Sequence, residues 1–397
     1  MKKLINEIDS DTRQFGTGWI SGFLGLALAL LGLTTVLCLW YPTWLTVEGT
    51  REFYSENLTA IRIALQLVLI CAFVLGTISA MLRSSKLLGF STVSIVLLAS
   101  LMGGSQATAK TVRGGDIYLG VDFFLLNLIF LGVLFIPIER LLKKVDQPIL
   151  RYEWREDLLY FLISTLFVQT LTFLTLAPSL ITLAATGWAD GLRHAIASQP
   201  LVLQFLEIMF LTDLVQYWFH RFFHKIPSLW NFHAVHHSAQ AMDWLAGSRM
   251  HVVEVILLRS FTTLPMYVMG FAEPALYAYI FFVYILSVFI HANIRVPFGW
   301  LQYVIATPRF HHWHHGIEEE AIDKNFAIHF PMIDVVFGTF HMPGDRWPEG
   351  YGVGGNPVPK GFIKQFFYPF GKMKAAPIDP QQNEESDVEN DPSNSPT

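Results

Sequence analysis

Six stretches of this chain carry no Asp, Glu, Lys or Arg: Gln14–Val47, Ile63–Leu82, Leu87–Ala109, Phe123–Ile138, Leu158–Ala189 and Pro274–Ile294. A bilayer crossing needs about 20 mostly apolar residues. Lipid offers no partner to a backbone N–H or C=O, so such runs satisfy their own backbone as helices. Pro200–Phe219 and Val252–Gly270 add two apolar runs interrupted by few charges. The expectation is an all-α integral membrane protein with about eight transmembrane helices, and with Leu158–Ala189 divided near Pro178. The apolar run after Arg13 continues through Cys38 and Trp40, too long for a cleavable signal. Gly18 and Gly22 stand at GxxxG spacing, which suits close helix approach, although glycines are also common in such helices.

Composition narrows the class further. Charged residues are 15% of the chain, against about 25% in an ordinary soluble domain. Hydrophobic residues are 52% and the mean hydropathy is +0.41. These values exclude disorder for the body of the chain, and two cysteines exclude a disulfide scaffold. A basic surplus, which nucleic-acid binding needs, is absent: 27 residues are basic and 32 acidic. Six of those acids lie in Pro377–Thr397, a segment with no basic or aromatic residue that is expected to be disordered. With the N-terminus in the cytoplasm, one face collects thirteen basic residues, among them Lys2, Lys3, Arg13, Arg140, Lys143, Lys144 and Arg151. The other face collects Arg51, Arg62, Lys110, Arg113 and Arg193, so the positive-inside rule places both termini in the cytoplasm.

Histidine is the second anomaly. Five of the fourteen lie within eighteen residues, as His220-x-x-x-His224 and His233-x-x-His236-His237. Four more fill five positions, His311-His312-Trp-His314-His315. Spacings of i, i+3 and i+4 gather rings on one side of a helix, and Asp213, Tyr217, His220 and His224 form one such stripe. Imidazole is the commonest side-chain metal ligand. Eight histidines in three clusters exceed what one tetrahedral zinc can use, so two metals are the natural arithmetic. His312 points off the face set by His311 and His315 and is expected to be a neighbour of the ligands or exposed. His291 and His251, at span ends, are candidates for further ligands. Asp213, Asp243, Glu254 and Asp334 could accept the second ring N–H of a ligating histidine. His329 and His341 follow the last cluster as weaker candidates, and His194 falls on the opposite side of the membrane.

These motifs resemble the fatty acid hydroxylase/sterol desaturase superfamily from Asp213 through Gly338: DLVQYWFHRFFH, LWNFHAVHHS, DWLAGSRMHVVE, HANIRVPFGW, TPRFHHWHH and NFAIHFPMIDVVFGT. The resemblance implies a non-haem site of two iron ions, with zinc as an ion found on isolation, and O2 as oxidant. It implies hydroxylation or desaturation of a lipid, whether fatty acyl, sterol-like or isoprenoid. It carries over as ligands His220, His224, His233, His236, His237, His311, His314 and His315, with His291 as an additional one. His251, Asp213, Asp334 and His312 stand as further ligands or supports of ligands. Two departures, Ile333 before Asp334 and Val252 after His251, bear on subfamily and substrate. Residues 1–150 would be a transmembrane module of unassigned role, 151–372 the catalytic domain on the cytoplasmic side, and 373–397 the acidic tail. No ferredoxin cysteines, haem-attachment motif or dinucleotide fingerprint is visible, so electrons are expected from a separate ferredoxin, cytochrome or quinone-linked donor. Two other classes compete. A zinc hydrolase would be expected to carry a catalytic Glu as in HExxH, which is absent, and a metal transporter would place its ligands near the bilayer midplane.

Overall fold

Every regular element longer than an isolated bridge is helical in the computed structural model of the chain, which describes residues 15–109, 118–185 and 190–371. Pro377–Thr397 lies outside the described residues, as do Lys2, Lys3, Arg13, Lys110 and Arg113 of the orientation count. The helices that matter below are α1 (Trp19–Trp40), α2 (Leu58–Leu82), α3 (Leu87–Leu101), α4 (Val121–Leu141), α5 (Trp154–Leu166), α6 (Val168–Ala185), α7 (Leu201–Lys225), α8 (Pro227–His237), α9 (Val252–Val268), α10 (Glu273–Phe289), α11 (Pro308–His314) and α12 (Pro331–Phe337).

Among the described residues, five helices are long and apolar enough to cross a bilayer: α1, α2, α3 with its extension to Gln106, α4 and α7. Helices α5 and α6, meeting at 59°, make a sixth if they are one broken crossing. The chain is therefore a multi-pass membrane protein with five to six candidate spans, against the eight expected. The difference has a simple physical origin. Helices α9 and α10 have 17 residues each, and at 1.5 Å per residue they rise about 25 Å, short of the roughly 30 Å of hydrocarbon. The break in Leu158–Ala189 falls near Phe167, while Pro178 is accommodated inside α6.

The chain divides into two compact units, Met1–Phe130 with Thr165–Gln169, and Leu131–Ser164 with Thr170–Thr397. In the first, α1, α2 and α3 bury Ala29, Val36, Leu65, Leu69, Ala72, Val96 and Ala99. Small residues set the approach. A Cβ on Gly22 would stand 2.3 Å from Ser79 Oγ, and one on Gly89 2.6 Å from the backbone nitrogen of Ala80. Of the GxxxG pair, Gly22 is the helical contact, whereas Gly18 sits at the N-cap of α1 with φ +75°. At the other end of this unit the buried Asp122 accepts from Val47 N, Thr50 Oγ1 and Tyr54 OH.

In the second unit α7 packs against α8, α9 and α10. Its apolar core includes Ile208, Met209, Met266, Phe271, Ala275, Leu276 and Tyr279. Buried carboxylates do much of the joining here. Asp213, halfway along α7, accepts the backbone N–H groups of Ile328, His329 and Phe330 at 2.8, 3.1 and 2.7 Å. Asp334 on α12 accepts from Phe326 N, Ala327 N and Thr339 Oγ1. Each carboxylate thus fixes a loop that could not form a regular ladder of its own.

Two substitutions test these constraints. Gly89→Val should cost about 1–3 kcal/mol through overpacking, seen as a lower melting temperature of the detergent-solubilised protein. The same change at Gly49, which faces open space, should cost less. Asp213→Ala should lower it further, since three buried N–H groups lose a charged acceptor at about 1.5–3 kcal/mol each before relaxation.

Candidate metal centre

Three helix ends and one loop bring nine histidines together. His220 and His224 come from the last turns of α7, and His233, His236 and His237 from the end of α8. His311 and His314 lie on α11, His315 is its C-cap, and His291 follows α10. Helix α8 starts with Pro227 at its first position, where a missing N–H costs nothing. Helix α11 starts with Pro308 behind Thr307, whose hydroxyl caps Phe310 N. Short helices with such starts can be placed rigidly even at seven residues.

The nine rings form two groups, each with its ring nitrogens within 4.8 Å of one another: His220, His224, His233, His237 and His314, and His236, His291, His311 and His315. The division follows from helix geometry. Positions i and i+4 lie about 40° apart around the axis, and i+3 lies about 60° to the other side. So His233 and His237 enter the first group while His236 enters the second, and on α11 the roles reverse: His311 and His315 enter the second while His314 enters the first. One HxxHH motif therefore serves two adjacent sites. The sites touch through the rings of His237 and His315, whose centroids are 4.4 Å apart.

Hydrogen bonds on the far side of each ring decide which nitrogen is free. Nδ1 of His220 lies 2.7 Å from Phe326 O, of His314 2.7 Å from Lys324 O, of His236 3.0 Å from Arg249 O, and of His291 2.7 Å from Ser287 O. A carbonyl oxygen only accepts, so each Nδ1 carries the proton and each Nε2 presents a lone pair. His233 Nδ1 lies 2.6 Å from Glu254 Oε1, and His224 Nδ1 3.3 Å from Asp323 Oδ1. The Nε2 atoms then face one another: 3.0 Å between His220 and His233, 3.0 Å between His237 and His314, 3.3 Å between His236 and His291, and 3.0 Å between His291 and His311.

In the His220–His233 and His236–His291 pairs both Nδ1 protons are committed to acceptors, so two lone pairs face each other and repel unless a cation lies between them. Bonds of about 2.1 Å to one ion put neighbouring nitrogens about 3.0–3.4 Å apart, so the donor set fits metal. Burial first, then the neighbouring imidazoles, hold His233, His237, His311, His314 and His315 well below the ordinary histidine range. His236 is held down in the same way, and burial brings His291 to about 4. The rings are neutral at physiological pH, the form that binds metal.

A buried ionic network stands behind the second group. Arg249 donates to Asp157 at 2.5 Å and Glu153 at 2.7 Å, and Arg151 donates to Asp157 at 2.5 Å and Asp243 at 2.7 Å. Asp243 also accepts from Leu245 N and Ala246 N. The network fixes the backbone of Arg249, whose carbonyl orients His236.

The fatty acid hydroxylase family model matches residues 205–339, the stretch holding all nine histidines. That stretch is about a third of the chain, and it is the part that is similar to fatty acid hydroxylases and sterol monooxygenases. It is 28% identical over 173 residues to the ornithine lipid hydroxylase OlsE of Rhizobium tropici, covering 44% of this chain and 52% of that protein. It is 30% identical over 135 residues to the alkylglycerol monooxygenase of Homo sapiens, covering 34% and 30%. It is 27% identical over 141 residues to methylsterol monooxygenase 1-2 of Arabidopsis thaliana, covering 35% and 47%. The chain thus spans about half or less of the length of these curated relatives. No solved structure matches the chain.

The other histidines and the candidate acids lie outside the two groups. His251 caps the N-terminus of α9, accepting from Val253 N, with its Nε2 2.9 Å from Phe366 O. His312 bridges Tyr351 OH at 2.7 Å and His291 O at 3.2 Å, and burial first pushes it to about 3. His329 lies beside Asp213 at 3.4 Å, His341 packs its ring on Trp313, and His194 is exposed. Of the four acids considered as partners of the ligand rings, Glu254 takes that place. Asp213, Asp243 and Asp334 bind backbone or arginine instead. Asp323, adjacent to no motif, and the four carbonyl acceptors were not read from sequence, because a carbonyl contributes the same atom whatever its side chain.

The division of the HxxHH motif has a direct test. His236→Ala and His237→Ala should empty different groups, each leaving about half of the bound metal and together leaving almost none. His251→Ala should leave metal content unchanged. Glu254→Ala should weaken metal binding about 10–100-fold, measured by competition with a chelator.

Proposed function

We propose that the chain is a membrane-bound oxygenase that hydroxylates a C–H bond of a lipid, using O2 and electrons from a separate donor. The observation that carries the reading is the pair of adjacent all-imidazole groups at the end of a membrane-spanning helix. His220, His224, His233, His237 and His314 would hold one iron, and His236, His291, His311 and His315 the other. When bound, a reduced iron pair supplies the electrons that make O2 reactive toward an unactivated C–H bond. One oxygen atom enters the product as hydroxyl, and the other leaves as water with two protons and two electrons from the donor.

The chain's own residues have narrower tasks. Phe326 O, Lys324 O, Arg249 O, Ser287 O and the Glu254 carboxylate hold five imidazoles in the tautomer that presents Nε2. Burial of these rings keeps water out of the donor set. Residues 151–372 form the catalytic domain in this reading. A sixth crossing by α5 and α6 would leave both termini on one side, and the basic Glu139–Arg155 segment supports the cytoplasm as that side. The electron donor, a ferredoxin, a cytochrome or a quinone-linked carrier, would reach the site from there. The names of the relatives, an ornithine lipid hydroxylase, an alkylglycerol monooxygenase and a methylsterol monooxygenase, share a lipid as substrate and support that class here.

The test compares lipid extracts of cells with and without the gene under labelled O2. A lipid gaining one labelled oxygen, absent with His236→Ala, is the expected outcome. A new double bond without label would make the enzyme a desaturase. No lipid change, with zinc alone in protein isolated without metal exchange, would overturn the reading.

A further inference from the structure

The catalytic unit exposes an apolar face that no membrane-spanning helix accounts for. On the 3-10 helix Gly299–Tyr303 and the residue after it, Trp300, Leu301 and Val304 are exposed, Trp300 at 71%. On α12, Met332, Val335 and Val336 are exposed at 57–72%, on one side at i, i+3 and i+4. The two segments are neighbours, tied by the hydrogen bond from Ala306 N to His329 O at 2.8 Å. Neither presents a charge. The single acidic or basic residue in them, Asp334, is fully buried and occupied by Phe326 N, Ala327 N and Thr339 Oγ1.

Their height along α7 identifies what covers them. The chain just before α12 is bound by Asp213, and the last residue of α12, Phe337, stacks on Tyr217 at 4.9 Å and meets Trp218 at 5.0 Å. Helix α12 therefore lies beside residues 213–218 of a candidate span. Five residues of helix are about 7.5 Å. The polar end of α7 begins only beyond this level, at His220, Arg221, His224 and Lys225. Arg221 donates to Tyr217 OH at 3.0 Å, with its guanidinium 5.7 Å from the Trp218 ring, an aromatic and basic pair typical of a membrane–water boundary. An uncharged face held just below that boundary meets acyl chains.

We propose that the face formed by Gly299–Val304 and α12 inserts into the lipid leaflet around the C-terminal end of α7, as an interfacial apron beside the histidine groups. A buried depth of about 5–10 Å is usual for such elements. The inference rests on α7 crossing the bilayer and is independent of the oxygenase reading. It gives a lipid a continuous apolar surface to move along next to α7, with no need to leave the bilayer.

The test uses the full chain in phosphatidylcholine vesicles, with Cys38 and Cys71 replaced by alanine. Spin labels at Met332→Cys and Val336→Cys are compared with Phe210→Cys, on the exposed face of α7, and Asp146→Cys, in a polar loop. Collisions with O2, which concentrates in lipid, are measured against those with a water-soluble nickel chelate. The expected O2-to-nickel ratio at positions 332 and 336 is several-fold above that at 146 and close to that at 210. A ratio equal to that at 146 would overturn the proposal. So would shielding from both reagents accompanied by cross-linked Val336→Cys dimers, which would make a second copy the occupant.

Discussion

Lone pairs that face one another across 3.0–3.3 Å set the terms for this protein. Imidazoles do not assemble this way for packing, since in the His220–His233 and His236–His291 pairs both Nδ1 protons are committed elsewhere and each Nε2 presents a lone pair to the other. A cation reverses the sign of that interaction. The rest of the histidine-bearing unit keeps nine rings buried and turned toward two points, and the helix ends that supply them are fixed from outside by groups that never approach those points.

The outer supports are mostly backbone carbonyls, and two of them, those of Phe326 and Arg249, belong to residues held by buried carboxylates. Asp334 fixes Phe326, whose carbonyl orients His220, and Ala327, and Asp213 fixes Ile328, His329 and Phe330. Asp157 and Glu153 hold Arg249, whose carbonyl orients His236. Removing one partner of such a buried ion pair typically costs about 3–5 kcal/mol. A change at Asp157 should therefore act on the metal site without touching it. The apolar helices carry the unit in the bilayer, and the buried charges give it a single arrangement.

Much of this was legible in the sequence, and the exceptions are instructive. The nine histidines that the structure gathers are those that spacing and resemblance single out. Spacing alone did not reveal that i+3 and i+4 serve different sites, since a stripe on one helix says nothing of what stands opposite. His251 has the position of a ligand in a histidine-rich sequence, yet its ring caps a helix, a task any acceptor can perform. Five to six helices of spanning length stand among the described residues where charge-free length gave eight, because that length measures apolarity, while crossing also requires an unbroken rise. Helices α9 and α10 end too soon, and α5 and α6 bend. The acids were the least legible, because a buried carboxylate binding backbone N–H groups carries no pattern of its own.

The most direct measurement of the central claim is X-ray absorption at the iron edge of the purified, iron-loaded protein, together with its metal content. The account predicts two irons per chain, each surrounded by light atoms with the multiple-scattering signature of several imidazoles. One iron per chain, sulfur in the coordination shell, or a spectrum without imidazole scattering would contradict it.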